Sequence, residues 1–176
     1  MKQKNPAQQE RLTRLLSELI KNSRKSERDL AKIMDTSQPT VNRLRKSLEE
    51  QAILQYTLIP NFAYIGYDII AFMFVRSKDP MTVAWRDEGR KFAMEQPNVL
   101  FASTGQGMES TGMMISVHKD YADFTKFHQD FRREWGKHLA ENKTFLISVK
   151  GDITVKPFSF DYLAECMEKE LESPTS

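Results

Sequence analysis

The chain is poor in the residues that build disulfide scaffolds, metal centres and membrane spans. Cys166 is its only cysteine among 176 residues, so an intramolecular disulfide and a cysteine-based zinc site are both excluded. Histidine occurs three times, as His118, His128 and His138. No apolar run is longer than Ile69–Val75, far short of the ~20 residues that cross a bilayer as a helix. The opening MKQKNPAQQERL lacks the apolar core of a secretory signal, and with a single cysteine the expected location is the reducing cytoplasm. Seven glycines and seven prolines are too few for a collagen-like or low-complexity chain. No P-loop, Ser/His/Asp arrangement or paired-carboxylate site stands out, so the expectation is a protein that is not an enzyme, with no cofactor and no metal.

What is present is globular: 40% apolar and 28% charged residues, in a length suited to one or two domains of roughly 100–150 residues. The charge is uneven. Residues 1–55 carry twelve Lys and Arg against seven Asp and Glu, a balance of +5. Residues 56–176 carry fourteen against seventeen, a balance of −3. A basic first third on an acidic remainder implies two domains with different partners, the first facing a polyanion.

Leu12, Leu15, Leu16, Leu19 and Ile20 recur at helical spacing and predict a first helix over about 8–22. Ser26 is placed to cap a second, short helix, with Glu27 and Asp29 in its first turn and Leu30, Ala31, Ile33 and Met34 inward. Asp35-Thr36-Ser37 makes a turn, and Ser37 caps a third helix over about 38–51. Pro39 falls in that helix's first turn, where its missing N–H would have had no partner. Val41, Leu44 and Leu48 form the third helix's apolar side; Asn42, Arg43 and Lys46 lie opposite, and Gln38 and Thr40 sit at the tip. This is the helix-turn-helix pattern, whose second helix enters the major groove of double-stranded DNA. Arginine suits guanine, and Asn or Gln suits adenine. The candidate DNA contacts are therefore Ser37, Gln38, Thr40, Asn42, Arg43 and Lys46, with Arg24, Lys25 and Arg28 on phosphate. A three-helix bundle with a solvated basic face fits the same residues. Beyond it, Gln55–Pro60 predicts a short strand that leaves the helices as an arm or wing, and Asn61–Gly66 links to a second domain.

Tyr67–Arg76 predicts a strand apolar on both faces: Ile70, Phe72 and Phe74 on one, Ile69, Ala71, Met73 and Val75 on the other. A helix over about 81–95 follows, with Met81, Trp85, Gly89, Phe92 and Ala93 inward. Val99–Thr104 and Gly112–Val117 are strands joined by the loop Gly105–Thr111. A long helix over about 120–141 carries Tyr121, Phe124, His128, Phe131, Trp135 and His138, and Thr144–Lys150 makes a last strand, extending towards Lys156. After Pro157, Tyr162, Leu163, Cys166 and Met167 fit a short amphipathic helix. The order βαββαβ is the ferredoxin-like split unit, with both helices on one sheet face. The other face needs a cover. A homodimer through Ile70, Phe72 and Phe74 supplies it. The expected domains are a winged helix-turn-helix over 1–55, a connecting strand and linker over 56–66, a ferredoxin-like dimerisation and effector domain over 67–156, and a terminal helix and tail over 157–176.

SELIKNSRKSERDLAKIMDTSQPTVNRLRKSLEEQAILQYTLIPNFAYIGYDIIAFMFV, residues 17–75, resembles the Lrp/AsnC (feast/famine) transcription regulators. The junction LEEQAILQYTLIPNFAYIGYDIIAF, residues 48–72, is its most specific part, and the order of elements continues to about residue 156. The resemblance implies an α+β chain: a winged helix-turn-helix on a ligand-sensing ferredoxin-like domain, dimers that often assemble into octamers, and an amino-acid effector between dimers. It places effector contact at Gly105, Gln106, Gly107, Met108 and Glu109, where the family often has Gly-Asp-x-Asp and this chain keeps only Gly105. Ala52 replaces the family's Gly after the third helix, and Arg45 stands where an aliphatic residue is frequent.

Two rival classes share this scaffold. Some proteins resembling the family are siroheme decarboxylases, whose tetrapyrrole pocket would need the histidines. His128 and His138, ten residues apart, lie roughly 80° apart round a helix and do not converge. His128 is expected to pack in the apolar stripe, and His118 at the surface. The other rival is a metabolite sensor or adaptor using Met108, Met113 and Met114, residues that serve equally as core.

Overall fold

The computed structural model describes residues 6–80, 82–151, 155–156 and 158–172. In chain order the elements are α1 (Pro6–Lys21), α2 (Glu27–Ile33), α3 (Gln38–Gln51), β1 (Ile69–Ser77), α4 (Val83–Glu95), β2 (Val99–Gly107), β3 (Ser110–His118), α5 (Tyr121–Trp135), a 3₁₀ turn (Gly136–His138), β4 (Leu139–Ser148) and α6 (Asp161–Glu172). They form two compact units: α1, α2 and α3 together with α6, and the sheet with its helices over 60–156.

In the first unit the apolar stripes predicted for the three helices meet in one core. Leu12, Leu15 and Leu19 pack with Leu30, Ala31, Met34, Val41, Leu44 and Leu48. Each aliphatic side chain taken fully from water contributes about 1.5–3 kcal/mol. Ile33, expected inward, is 39% exposed; it lies roughly 100° round the helix from the centre of the Leu30–Ala31–Met34 stripe. The terminal helix α6 belongs to this unit. Its buried residue is Ala164 rather than the expected Tyr162, Leu163 or Cys166, which are exposed, while Met167 is half-buried. Ala164 is small enough to let α6 approach α1 closely at Ser17, whose Oγ lies 3.3 Å from the Ala164 carbonyl oxygen and 2.7 Å from Glu168 Oε1. The strand expected to end at Pro60 does not form: residues 53–60 take no regular structure, and no partner strand lies beside them among the described residues. Leu54 and Leu58 stand open to water.

The second unit is a four-stranded antiparallel sheet in the order β2-β3-β1-β4, the ferredoxin-like arrangement. Ala71, Met73 and Met114 point to the helix-covered face and pack with Phe124, Phe131 and Trp135 of α5. The pleat sends the alternate residues to the opposite face. There Phe72 lies across from Ile115 and Phe145, Phe74 from Met113 and Lys143, and Ile70 from Val117 and Ile147.

Several expected boundaries shift. The long helix ends at Trp135, where Gly136 opens the 3₁₀ turn, and Tyr121 at its start is 65% exposed. The last strand begins at Leu139 and ends at Ser148. The expected loop Gly105–Thr111 shrinks to a two-residue turn, because Met108 and Glu109 both take positive φ (51° and 57°), the primed-turn geometry that matches strand twist. Of the residues expected inward on α4, Trp85, Gly89, Phe92 and Ala93 are half-buried, and Met81 lies outside the described residues. His118, expected at the surface, is fully buried.

Candidate nucleic-acid interface

The turn between α2 and α3 is built by backbone closure. The Thr36 N–H donates to the Ala31 carbonyl (2.9 Å) and the Asp35 N–H to the Lys32 carbonyl (3.3 Å), with Asp35 left-handed at φ 48°. This is the Schellman closure of α2. Ser37 then caps α3 by accepting from the Thr40 N–H, and its hydroxyl lies 2.9 Å from Thr40 Oγ1. Ser26 caps α2 in the same way through the Asp29 N–H. Both caps follow the predicted chemistry. The Schellman turn was not legible, because its left-handed position carries Asp rather than Gly.

α3 therefore leaves the turn with its apolar side buried and its polar side free. Gln38, Pro39, Asn42, Arg43 and Lys46 line a shallow concavity of about 740 Å³, joined by Glu27, Ser47 and Glu50, which the sequence reading had not placed there. Arg43 and Lys46 are exposed, as are Arg24 and Arg28. Among the described residues none of these four cations has an ion-pair partner. Asn42 is half-buried and donates one amide hydrogen to Glu27 Oε1 (3.2 Å). An amide carries a second hydrogen and a carbonyl oxygen beyond that bond.

The other expected residues separate into different tasks. Lys25 is half-buried and paired with Glu18, so its charge is engaged within the unit. Ser37 and Thr40 spend their hydroxyls on the cap. Arg45 turns back to donate to the Lys25 carbonyl (3.3 Å), tying α3 to the α1–α2 turn, and its Nε is buried without a partner. Lys21 is held above its ordinary pKa chiefly by its hydrogen bond to Glu168, and Glu168 is held below its own by Lys21 and then by Ser17.

In the second unit the expected effector residues do not form a loop pocket. Gly105, Gln106 and Gly107 extend β2; Met108 is exposed at the turn, and Glu109 pairs with Lys143 at 3.2 Å. Met114 is core and Met113 half-buried.

Each histidine is packed among aromatic rings. His118 is packed against the rings of Phe124 and Phe127, with Ser116 Oγ 2.9 Å from Nε2 and Asp123 Oδ2 3.7 Å from Nδ1. Burial lowers its pKa against the opposing pull of Asp123. The Ser-His-Asp order imitates a hydrolytic triad, but Ser116 and His118 are fully buried. His128 stacks on Phe124 with Nε2 3.1 Å from the Asn142 amide, as expected of a packed histidine. His138 packs against Trp85 and Trp135. Among the described residues no group of three His, Cys, Asp or Glu could hold a metal ion, and no helix is long and apolar enough to cross a membrane.

Residues 9–51, which run to the last residue of α3, match the family described as winged helix-turn-helix DNA-binding. No curated protein matches the chain in sequence. Solved structures match it in fold. A transcriptional regulator of Neisseria meningitidis, solved in complex with L-Met, superposes with a TM-score of 0.70 at 17% identity, covering 87% of this chain and 97% of its own. An AsnC family transcriptional regulator from Agrobacterium tumefaciens gives 0.67 at 16% identity, covering 91% and 99%. LrpC of B. subtilis gives 0.65 at 21%, covering 89% and 100%. The chain has the fold of the AsnC and Lrp transcriptional regulators: a helix-turn-helix followed by an antiparallel α+β domain.

Proposed function

We propose that this chain is a sequence-specific, DNA-binding transcription regulator of the Lrp/AsnC type. The observation that carries the reading is the polar side of α3: a capped helix whose exposed Gln38, Arg43 and Lys46 surround a concavity, with Arg24 and Arg28 as further free cations. Arg43 and Gln38 read base edges, Asn42 contributes once its bond to Glu27 is shared, and Arg24, Arg28 and Lys46 meet phosphate. A second copy covers the apolar sheet face of Ile70, Phe72 and Phe74, so that two heads meet half-sites one helical turn or a multiple apart, about 34 Å per turn. Octamers would assemble from such dimers. The L-Met bound to the Neisseria meningitidis relative motivates an amino-acid effector at the tip of the β2–β3 hairpin, Gly105–Glu109.

Footprinting of the purified protein on DNA upstream of its own gene, with and without amino acids, tests the reading. Protection of a roughly palindromic site supports it. Arg43→Ala should weaken the specific site by about 1–3 kcal/mol and leave the mass in solution unchanged. Unchanged mobility shifts for both Arg43→Ala and Lys46→Ala would reject the assigned face.

A further inference from the structure

The second unit contains a cleft that the DNA-binding reading leaves unused. It lies between α4 and the edge strand β2, occupies about 490 Å³, and is floored by Phe131 and Trp135 of α5. That volume falls within the roughly 300–1,000 Å³ of small-molecule sites. α4 buries no residue of its own, although Trp85, Gly89, Phe92 and Ala93 turn inward. Gly89 lines the cleft, and a Cβ there would meet only the far edge of the Trp135 ring, at 3.9 Å, so there is room beside it. A glycine inside a helix weakens it relative to alanine, so α4 carries at its centre a residue that favours space over helix strength.

We propose that this cleft binds a small apolar molecule bearing one carboxylate, such as a medium-chain fatty acid. Two features select that chemistry. The lining is predominantly apolar, the rings of Trp85 and Trp135 included. The only charged lining residues are Arg86 and Arg90, exposed and one helical turn apart, and neither has an ion-pair partner among the described residues. With guanidinium groups and no carboxylate on the wall, the cleft attracts an acid, and it offers nothing to the ammonium of an amino acid. It is separate from the β2–β3 turn, and its occupancy is independent of whether α3 binds DNA.

Trp85 and Trp135 are the chain's only tryptophans and both line the cleft, so emission excited beyond the tyrosine band reports from its walls. The test titrates the purified full chain, without DNA, with decanoate and decylamine below their micelle concentrations and decanol below its solubility limit. Decanoate should give a saturable change in tryptophan emission at a midpoint about tenfold lower than decylamine. Arg86→Gln with Arg90→Gln, at exposed positions, should raise the decanoate midpoint about tenfold and leave decanol unmoved. Gly89→Leu should abolish both responses while the far-ultraviolet dichroism stays helical. The proposal is overturned by an unsaturable response, by equal midpoints for acid and amine, or by decanoate binding that survives the arginine pair unchanged. A self-associated protein whose tryptophans respond to dilution but not to decanoate would show that a second copy fills the cleft instead.

Discussion

Asp35 holds a left-handed backbone at the residue that closes α2, a conformation that a Cβ disfavours by about 1–2 kcal/mol. Asp35→Gly should therefore raise the stability of the first unit by up to about 1 kcal/mol, and Asp35→Val should lower it by about 1–2 kcal/mol. Urea unfolding followed by helix content measures both; a valine variant as stable as the wild type would show that the turn does not need this geometry. His118 sets a pH dependence. Burial holds its folded pKa below the ordinary 6.5, so the unfolded chain binds the proton first. Stability is then complete above about 6.5 and falls as pH drops below it, since the unfolded state gains protons that the folded state refuses. His128 is lowered in the same sense, by burial and then by Arg132. Replacing His118 by Gln should flatten the slope of stability against pH between 6.5 and 5, whatever its effect at neutral pH; an unchanged slope would assign the acid limb elsewhere. At this scale Ser26 and Ser37 were legible because a cap is made with residues three positions away. The burial of His118 was not legible, because the rings of Phe124 and Phe127 reach it only through the tertiary fold.

At the scale of elements, the departures from sequence periodicity follow where a neighbour or a turn overrides it. The apolar spacing of α6 favoured Tyr162 and Leu163, yet the face that meets α1 is Ala164 with Glu168, against Ser17 and Lys21. Close approach of two helices selects small residues at the crossing, and periodicity weighs size poorly. Ala164→Leu should overpack this seam and lower stability by about 1–3 kcal/mol, whereas Glu168→Gln, which removes a partly exposed pair, should lower it by less than about 1 kcal/mol. Thermal melts of the full chain distinguish the two, and an Ala164→Leu variant with wild-type stability would mean that α6 is not seated as described. The β2–β3 hairpin behaves likewise. Its strands run on past the expected loop because Met108 and Glu109 both accept positive φ. Met108→Asn with Glu109→Gly, the residues that this turn prefers, should stabilise the unit by about 1 kcal/mol. The loss of the Glu109–Lys143 pair subtracts little from that, both side chains being largely exposed.

For the whole molecule, charge placement limits how DNA could be held. The net charge is only +2, with the excess in the first 55 residues and a deficit in the rest, so attraction to a polyanion must be local and not a property of the total. The succession of strands and helices and the polar side of α3 were legible because each rests on a period written into consecutive residues. Which cations stay free was not, since Lys25 is withdrawn by Glu18 and Arg45 by a backbone carbonyl, contacts made by residues distant in sequence. If Arg24, Arg28 and Lys46 each neutralise one phosphate, two heads make about six such contacts, and log affinity should fall against log salt with a slope of about −5.4. Lys46→Ala removes two contacts from a dimer and should bring the slope to about −3.6, equally on specific and unrelated DNA. Arg43→Ala should leave the slope nearly unchanged if its guanidinium sits on a base, and lower the preference for the specific site instead. If a second copy covers the sheet face, Phe72→Asp should yield a protein that sediments as a monomer, with the slope halved. A wild-type slope that survives Phe72→Asp intact would place all the phosphate contacts on a single head and remove the dimer from DNA binding.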